Sequence, residues 1–447
     1  MAELISVGLD VGTTSTQLVV SKLGVENRAG SFAVPRMEIG SREILYKSPV
    51  RFTPLLRGEL VDAGALRELV DEEYRAAGIG KADVDTGAVI ITGETSRKEN
   101  AGAVLEALSD YAGEFVVATA GPDLESVLAA KGAGAVALSE NTGKTVLHMD
   151  IGGGTSNLAL IENGKIAATT CLNVGGRLLK MDKDGTLTYV SPVLSGLFDK
   201  QAGQKVSREE VLYLAEMLVQ ALEMAAGLRE KRELLEKLTT EEVRGKPFPV
   251  PERAVISFSG GVADCMEKEQ EFLAFGDIGP ELGQAIRQSR LCRGEYVLGE
   301  ETIRATVIGA GCHSTQLSGS TVYCQNVSLP LKNLPVAESA AEWKAMDGPG
   351  ILALPGIPAP EYEQVAEMAA KLCEQMGAGP VYLALQADMA KALGQQLALR
   401  MGQEARILCI DRVELKAGDY LDVGIPVGPA FPVVVKTLIL SRERLKG

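Results

Sequence analysis

The sequence is short of the residues on which many enzyme sites depend. Its 447 residues include two histidines, His148 and His313, and one tryptophan, and aromatic residues make up only 4%. Histidine-rich metal centres and serine-hydrolase triads therefore have little to work with. The seven cysteines (Cys171, Cys265, Cys292, Cys312, Cys324, Cys373 and Cys409) are odd in number and contain no CxxC pair. Neither a disulfide framework nor a zinc ribbon is expected, and the thiols read as buried. Basic charge is also lacking: 45 Lys and Arg face 59 Asp and Glu, for a formal net charge of -14. Nucleic acid and anionic lipid are poor partners for such a chain, because phosphate binding wants a basic footprint. No apolar run reaches the ~18 residues of a membrane span. The start, MAELISVGLDVG, enters a strand without a basic leader, so a cytoplasmic location is expected.

Glycine, by contrast, is abundant, with 49 residues, and one glycine cluster dominates the chain. In VLHMDIGGGTSNLALI, Val146 to Ile161, an apolar strand ends at Asp150, turns through Gly152, Gly153 and Gly154, and resumes as a second strand. Glycines there allow the N–H groups of the turn to converge on an anion. Thr155 adds a hydroxyl, and Asp150 a carboxylate suited to a hydrated magnesium ion. Glycine turns between strands are common, but this one has a counterpart. GLDVGTTSTQLVV, Gly8 to Val20, repeats the order of strand, aspartate (Asp10), glycine (Gly12), hydroxyls (Thr13, Thr14) and strand. Two such hairpins point to a duplicated fold that grips one nucleotide from both sides.

Strand and helix patterns alternate along the chain, which means α/β. A third strand is expected near Ser31 to Val34, a helix over Val61 to Ala77 closed by Gly78, and strands at Gly87 to Thr92 and Phe115 to Thr119, each followed by a helix. Gly175 and Gly176 are expected to enter a helix, and Asp184-Gly185 to form a hairpin turn rather than a calcium loop, since position 193 is valine. Ser207 and Glu210 make a capping box for a long helix to about Lys237. The segment from Thr306 to Thr315 reads as a strand with a glycine pair, and the prolines between 330 and 360 as a loop-rich stretch before a C-terminal α/β addition. His148 reads as a packed strand residue. NTGKT lacks the first glycine of a P-loop, and GAGAVA follows a helix rather than a strand, so neither is a nucleotide motif of those kinds.

Taken together, DVGTTST, DIGGGTSN, FSGGVAD and VIGAGCHS, in this order and spacing, resemble the ATPase superfamily of actin, heat-shock chaperones and sugar kinases over roughly the first 315 residues. ESVLAAKGAG from Glu125 and NVGGRLL add to the likeness. The resemblance implies a two-lobed actin-like fold, duplicated from a ribonuclease H-like unit, with ATP and Mg2+ between the lobes. The division expected is a first lobe over 1–145, a second over 146–315, and a C-terminal α/β module over 316–447. Asp10 and Asp150 would orient magnesium and its waters, and Gly12, Thr13 and Thr14 would hold phosphate with Gly152, Gly153, Gly154 and Thr155. Gly260 and Gly261 would flank the adenosine. Glu94 is the preferred water-activating residue, with capping of the next helix or pairing with Arg97 or Lys98 as its other reading.

From end to end, including SREILYKSPVRFTPL, ITGETSRKENA and LDVGIPVGPAFPVVVKTLIL, the chain is similar to the reactivating-protein family of ethanolamine utilisation. That resemblance implies a chaperone-like ATPase acting on ethanolamine ammonia-lyase, which releases damaged cobalamin and admits intact adenosylcobalamin, in a cytoplasm that holds bacterial microcompartments. A small-molecule kinase and a filament-forming actin relative stay open as alternatives, as does a homo-oligomer.

Overall fold

Each of the two glycine hairpins heads a sheet of the same design. In the computed structural model the structure describes residues 2–12, 15–27, 37–56, 60–91, 104, 108, 117–119, 122–245, 254–268, 270–299, 301–313, 315–319, 321–346, 348–377, 379–413, 415, 419–426 and 430–437. Contacts divide the chain into two units, one of residues 1–91, 98–119 and 314–447, the other of residues 92–97 and 120–313.

In the first unit, β1 (Ala2–Val11) and β2 (Ser15–Asn27) form the antiparallel hairpin, and β3 (Met37–Lys47) and the short β4 (Arg51–Phe52) pair with β2. β5 (Leu55–Leu56) and β6 (Leu60–Val61) make a small hairpin of their own. Helix α1 (Ala63–Ala77) then crosses to β7 (Thr86–Ile91), which runs parallel to β1, with β8 (Val117–Thr119) parallel to β7. Asp62 starts α1 by accepting from the N–H groups of Gly64 and Ala65, and Gly78 ends it in the left-handed region. Leu66, Val70 and Tyr74 of α1 pack on Val7, Leu9, Leu18 and Val20 of the sheet, beside the helical and buried Val104 and Leu108. The strand expected at Ser31 to Val34 lies outside the described residues; the observed third strand is β3.

The second unit opens with α2 (Pro122–Gly132) and α3 (Ala135–Thr142), parted by Gly134 at φ 79°. β9 (Val146–Ile151), β10 (Ser156–Glu162) and β11 (Lys165–Leu172) form the antiparallel meander, and a hairpin of β12 (Leu179–Met181) and β13 (Leu187–Val190) follows. Gly175 and Gly176 thus lead to a strand, not the expected helix, because their segment bonds back to the glycine turn. The expected turn at Asp184-Gly185 is present, with Gly185 at φ 82°. Helix α4 (Arg208–Ala225) starts at the Ser207/Glu210 capping box and buries Val211, Leu214, Leu218 and Leu222. It stops far short of Lys237. Gly227 adopts φ 71°, Leu228 N–H donates to Glu223 O at 2.9 Å, and α5 (Glu233–Leu238) is a separate short helix. β14 (Thr239–Gly245) adds to the edge of β11, and β15 (Val255–Ser259) runs parallel to β9. After α6 (Gly279–Gln288), β16 (Tyr296–Leu298) lies parallel to β15, and α7 (Ala305–His313) closes the unit.

The two sheet orders coincide: β3-β2-β1-β7-β8 in the first and β11-β10-β9-β15-β16 in the second, with β14 added. Strand senses match as well. This is the duplicated ribonuclease H-like α/β fold of the actin type. The segment expected as a strand at Thr306 to Thr315 is α7 instead. Its glycines serve a helix crossing: a Cβ on Gly309 would lie 2.0 Å from Leu128 O of α2, and one on Gly132 would lie 1.8 Å from Ala305 O.

The remaining residues of the first unit build an eight-stranded sheet with the order β17-β24-β23-β19-β20-β21-β22-β18, from β17 (Thr315–Leu317), β18 (Tyr323–Gln325), β19 (Leu331–Ala337), β20 (Ile351–Leu354), β21 (Val381–Leu385), β22 (Ile407–Asp411), β23 (Asp419–Val423) and β24 (Pro432–Thr437). β19 to β22 are parallel, linked by α8 (Ala340–Lys344), α9 (Tyr362–Met376) and α10 (Ala390–Met401). The proline-rich stretch is therefore not all loop. Pro335 lies in β19 next to a register shift, the kind of place where a strand tolerates proline. β17 ties this sheet to the amino-terminal one through Thr315 Oγ1 and Thr86 Oγ1 at 2.6 Å, and Leu317 packs on Leu4, Leu23 and Val25.

Candidate functional site

The chemistry of the second unit is set by which way β9 turns its side chains. Leu147, Met149 and Ile151 enter the core with Leu214, Leu218 and Leu282. His148 and Asp150 alternate with them and share the opposite face. Register brings partners to that face: Asp150 stands opposite Asn157 of β10 and opposite Ser259 of β15, and His148 opposite Ser257. Ser259 Oγ donates to Asp150 Oδ1 at 2.5 Å and lies 3.0 Å from His148 Nε2, while His148 Nδ1 lies 3.0 Å from Ser257 Oγ. Asn157 Nδ2 donates to Glu125 Oε2 of α2 at 2.8 Å. Burial pushes the Asp150 carboxyl up to about 6, against the lowering effect of the Ser259 and Thr306 hydroxyls. Burial alone pushes His148 down to about 3, so its ring is neutral.

Beyond Ile151 the chain makes the glycine turn. Gly152 N–H donates to Thr155 O at 2.9 Å, and Gly12 N–H donates to Ser15 O at 2.9 Å in the first unit, so the two hairpins close by the same bond. Asp10 stands opposite Gln17 as Asp150 stands opposite Asn157, a carboxylate facing an amide in both. In the first unit Thr53 Oγ1 also donates to Gly12 O at 2.8 Å. In the second, Gly176 N–H and Arg177 N–H donate to Gly152 O and Gly153 O at 3.0 and 2.6 Å. A Cβ on Gly175 would lie 2.4 Å from Gly153 O, which is why this segment needs glycine. The outer side of Gly154 is open, with nothing within 4 Å of a Cβ there.

Arg177 flanks this open side. Its Cδ lies 3.2 Å from the Cβ position of Gly153, and its Nε bonds Asp277 Oδ2 at 3.3 Å. Asp277 Oδ1 in turn accepts from Gly279 N–H at the start of α6 at 2.9 Å. Gly260 sits at φ 87°, with its Cβ position 2.3 Å from Ile151 O, while Gly261 meets only Ile303 Cδ1 at 3.9 Å. The second unit therefore gathers Asp150, Gly152, Gly153, Gly154, Thr155, Gly260 and Gly261 around the end of β9. Asp10 and Gly12 occupy the corresponding turn of the first unit. Thr13, Thr14 and Glu94 lie outside the described residues. Arg177 and Ser259 escaped the sequence reading, although each adjoins a glycine motif it had singled out, in NVGGRLL and FSGGVAD. Of the cysteines expected to be buried, Cys171, Cys265, Cys312 and Cys409 are, Cys292 and Cys373 are half-buried and Cys324 is exposed, and all seven are free thiols.

A glycine turn with open space at Gly154, a guanidinium against Gly153 and the Asp150 carboxylate on the strand before it fit a phosphate with its accompanying cation. One Asp150 oxygen is already taken by Ser259, which suits contact with the ion's water shell better than full ligation. Among the described residues no group of three His, Cys, Asp or Glu side chains could hold a metal by itself, so the phosphates would have to supply ligands.

The family model for ethanolamine utilisation protein EutA matches residues 2–351 and 345–441. The chain belongs to this family. It is 38% identical over 472 residues to the ethanolamine ammonia-lyase reactivase EutA of Salmonella typhimurium, covering 98% of each chain. The protein of the same name from Escherichia coli is 38% identical over 473 residues, again with 98% of each covered. Among solved structures, an Aquifex aeolicus member of the Ppx/GppA family is 15% identical, with a TM-score of 0.43 over 69% of this chain and 97% of that one. Both glycine turns, the Ser259–Gly261 segment and the eight-stranded sheet fall within the residues matched to the EutA family.

Proposed function

We propose that this EutA-family chain is a chaperone-like ATPase that reactivates ethanolamine ammonia-lyase by releasing damaged cobalamin so that intact adenosylcobalamin can enter. The observation that carries the nucleotide part is the duplicated turn, in which Gly12 and Gly152 close identical bonds beside Asp10 and Asp150. The end-to-end likeness to two reactivases supports the choice of partner enzyme. Bound Mg2+-ATP supplies the phosphoryl group whose transfer to water drives the cycle. The chain's own residues position and neutralise. The N–H groups of Gly153, Gly154 and Thr155, on the turn that Gly152 closes, and the Arg177 guanidinium face the phosphates, and Asp10 and Asp150 orient the waters of the cation. Gly12, Thr13 and Thr14 play the matching part in the first unit, Gly260 and Gly261 flank the adenosine, and Glu94 accepts the proton of the attacking water. A change of ATP state alters the preference between arrangements of the protein and hence its hold on the partner. The module over 316–447 and the helices after Ser207 are the proposed contact regions for the partner.

Phosphate release by the purified protein tests the ATPase reading. Mg2+-ATP is expected to be hydrolysed, with a loss of about 100-fold or more in Glu94→Gln if that carboxylate is the base. Absence of both ATP binding and hydrolysis in the native protein would overturn the nucleotide reading, and full turnover in Glu94→Gln would remove Glu94 from its role.

A further inference from the structure

Behind Asp150, three side chains form a line whose direction follows from counting protons. Ser257, His148 and Ser259 are 1%, 0% and 0% exposed, in a strand pair otherwise filled by apolar residues. An ionised Asp150 only accepts, and a serine hydroxyl has one proton, so the 2.5 Å contact uses the proton of Ser259. Ser259 must then accept from His148, and the neutral ring carries its proton on Nε2. Nδ1 is left as an acceptor, and Ser257 donates to it. Buried polar groups cost stability unless bonded, and apolar residues of similar size would fill the same space at less cost. What this line accomplishes is at its end, where a hydroxyl with only one available direction meets Oδ1 of Asp150.

We infer that His148 is a positioning residue for Asp150: acting through Ser259, it fixes Oδ1 and, with the Thr306 hydroxyl that also bonds this carboxylate, sets the orientation in which Asp150 meets the water shell of the cation that accompanies the nucleotide. The inference rests on the nucleotide reading above and adds two residues to it. Partners of this kind, bonded to a carboxylate rather than to the ion, orient the carboxylate and change ion affinity when removed.

The test compares ATP affinity with and without Mg2+ for the full chain and for Ser259→Ala, Ser259→Thr, His148→Leu and His148→Gln. Ser259→Ala and His148→Leu are expected to require about ten- to 100-fold more Mg2+ for half-maximal tightening. Their magnesium-free affinity should change far less. Ser259→Thr keeps the hydroxyl, and His148→Gln keeps an N–H that can reach Ser259, so both are expected to recover much of the loss. A purely structural role would lower thermal stability without this split. Nitrogen NMR of the ligand-free native protein, assigned with His313→Gln, is expected to show the Nε2–H tautomer of His148. A Mg2+ requirement unchanged in Ser259→Ala, or the Nδ1–H tautomer in the native protein, would overturn the inference. Failure of the native protein to bind ATP would instead overturn the nucleotide reading, and the tautomer, read without ligand, tells the two failures apart.

Discussion

Asp411 ends β22 with its side chain fully buried, accepting from Thr321 Oγ1 and from the backbone of Ala390 at the start of α10. Burial first, and then the nearby charge of Asp388, push it up to about 7, while Arg412, bonded to Asp388 Oδ1 at 2.9 Å, opposes the shift. The native chain therefore holds this proton until about pH 7, whereas the unfolded chain releases it near the ordinary value of 3.8. Stability from this group is greatest below about pH 4 and falls as pH rises toward 7. Asp411→Asn keeps an acceptor for Thr321 and cannot ionise. It is expected to flatten that slope and to raise the thermal midpoint at pH 8 by about 2–4 °C; an unchanged or lower midpoint would contradict the assignment. Arg177 makes a second prediction at this scale. Arg177→Ala should weaken ATP binding by about tenfold or more, with little change in thermal stability, because its partner Asp277 keeps the bond to Gly279 N–H. Lysine at the same position is expected to restore only part of the affinity, since a point charge cannot keep both the tether to Asp277 and the reach to phosphate. Titration with a fluorescent ATP analogue reads both variants.

At the scale of elements, α2 and α7 cross with backbone against backbone. Gly309 meets the carbonyl of Leu128, and Gly132 that of Ala305, at distances no side chain can occupy. Gly309→Ala must part the helices and is expected to cost about 1–3 kcal/mol. Gly294, exposed and with open space at its Cβ position, supplies the control: Gly294→Ala should stay within about 0.5 kcal/mol of native. Equal midpoints for the two variants in denaturant unfolding would contradict the account of this crossing. The same crossing explains why α7 reads as a strand. TVIGAGCH is short, apolar and unpunctuated, and periodicity does not separate a buried helix from a buried strand over such a length. Its glycines look like a turn when their neighbours in α2, far back in the chain, are unknown. The end of α4 fails to show for a different reason. The charged run after Gly227 keeps helical composition, and only the left-handed backbone at that glycine stops the helix.

For the whole molecule, the duplicated hairpins are legible because each needs its aspartate, its glycines and its flanking strands within a few consecutive positions. Sheet order in both units follows from that repeat. The membership of the chain in the EutA family bears out the end-to-end resemblance carried by SREILYKSPVRFTPL, ITGETSRKENA and LDVGIPVGPAFPVVVKTLIL. What stays hidden involves residues remote in sequence. Arg177 gains its place through Asp277, Asp150 its partners through Ser259, and the carboxy-terminal sheet its attachment through Thr315 and Thr86. No local pattern encodes such pairs. The contact division also assigns α2 and α3 to the second unit and joins residues 314–447 to the amino-terminal sheet, whereas the repeat divides the sequence at 145 and 315.

The central claim is that nucleotide held at these turns powers repair of a cobalamin enzyme. Its most direct measurement is the recovery of ethanolamine ammonia-lyase inactivated with cyanocobalamin, mixed with this protein, Mg2+-ATP and free adenosylcobalamin, with Asp150→Ala as the control. Activity is expected to return only when ATP, Mg2+ and the native protein are all present, and to stay absent with Asp150→Ala. Recovery that is independent of ATP, or equal in the variant, would contradict the account, as would no recovery by a protein that binds ATP.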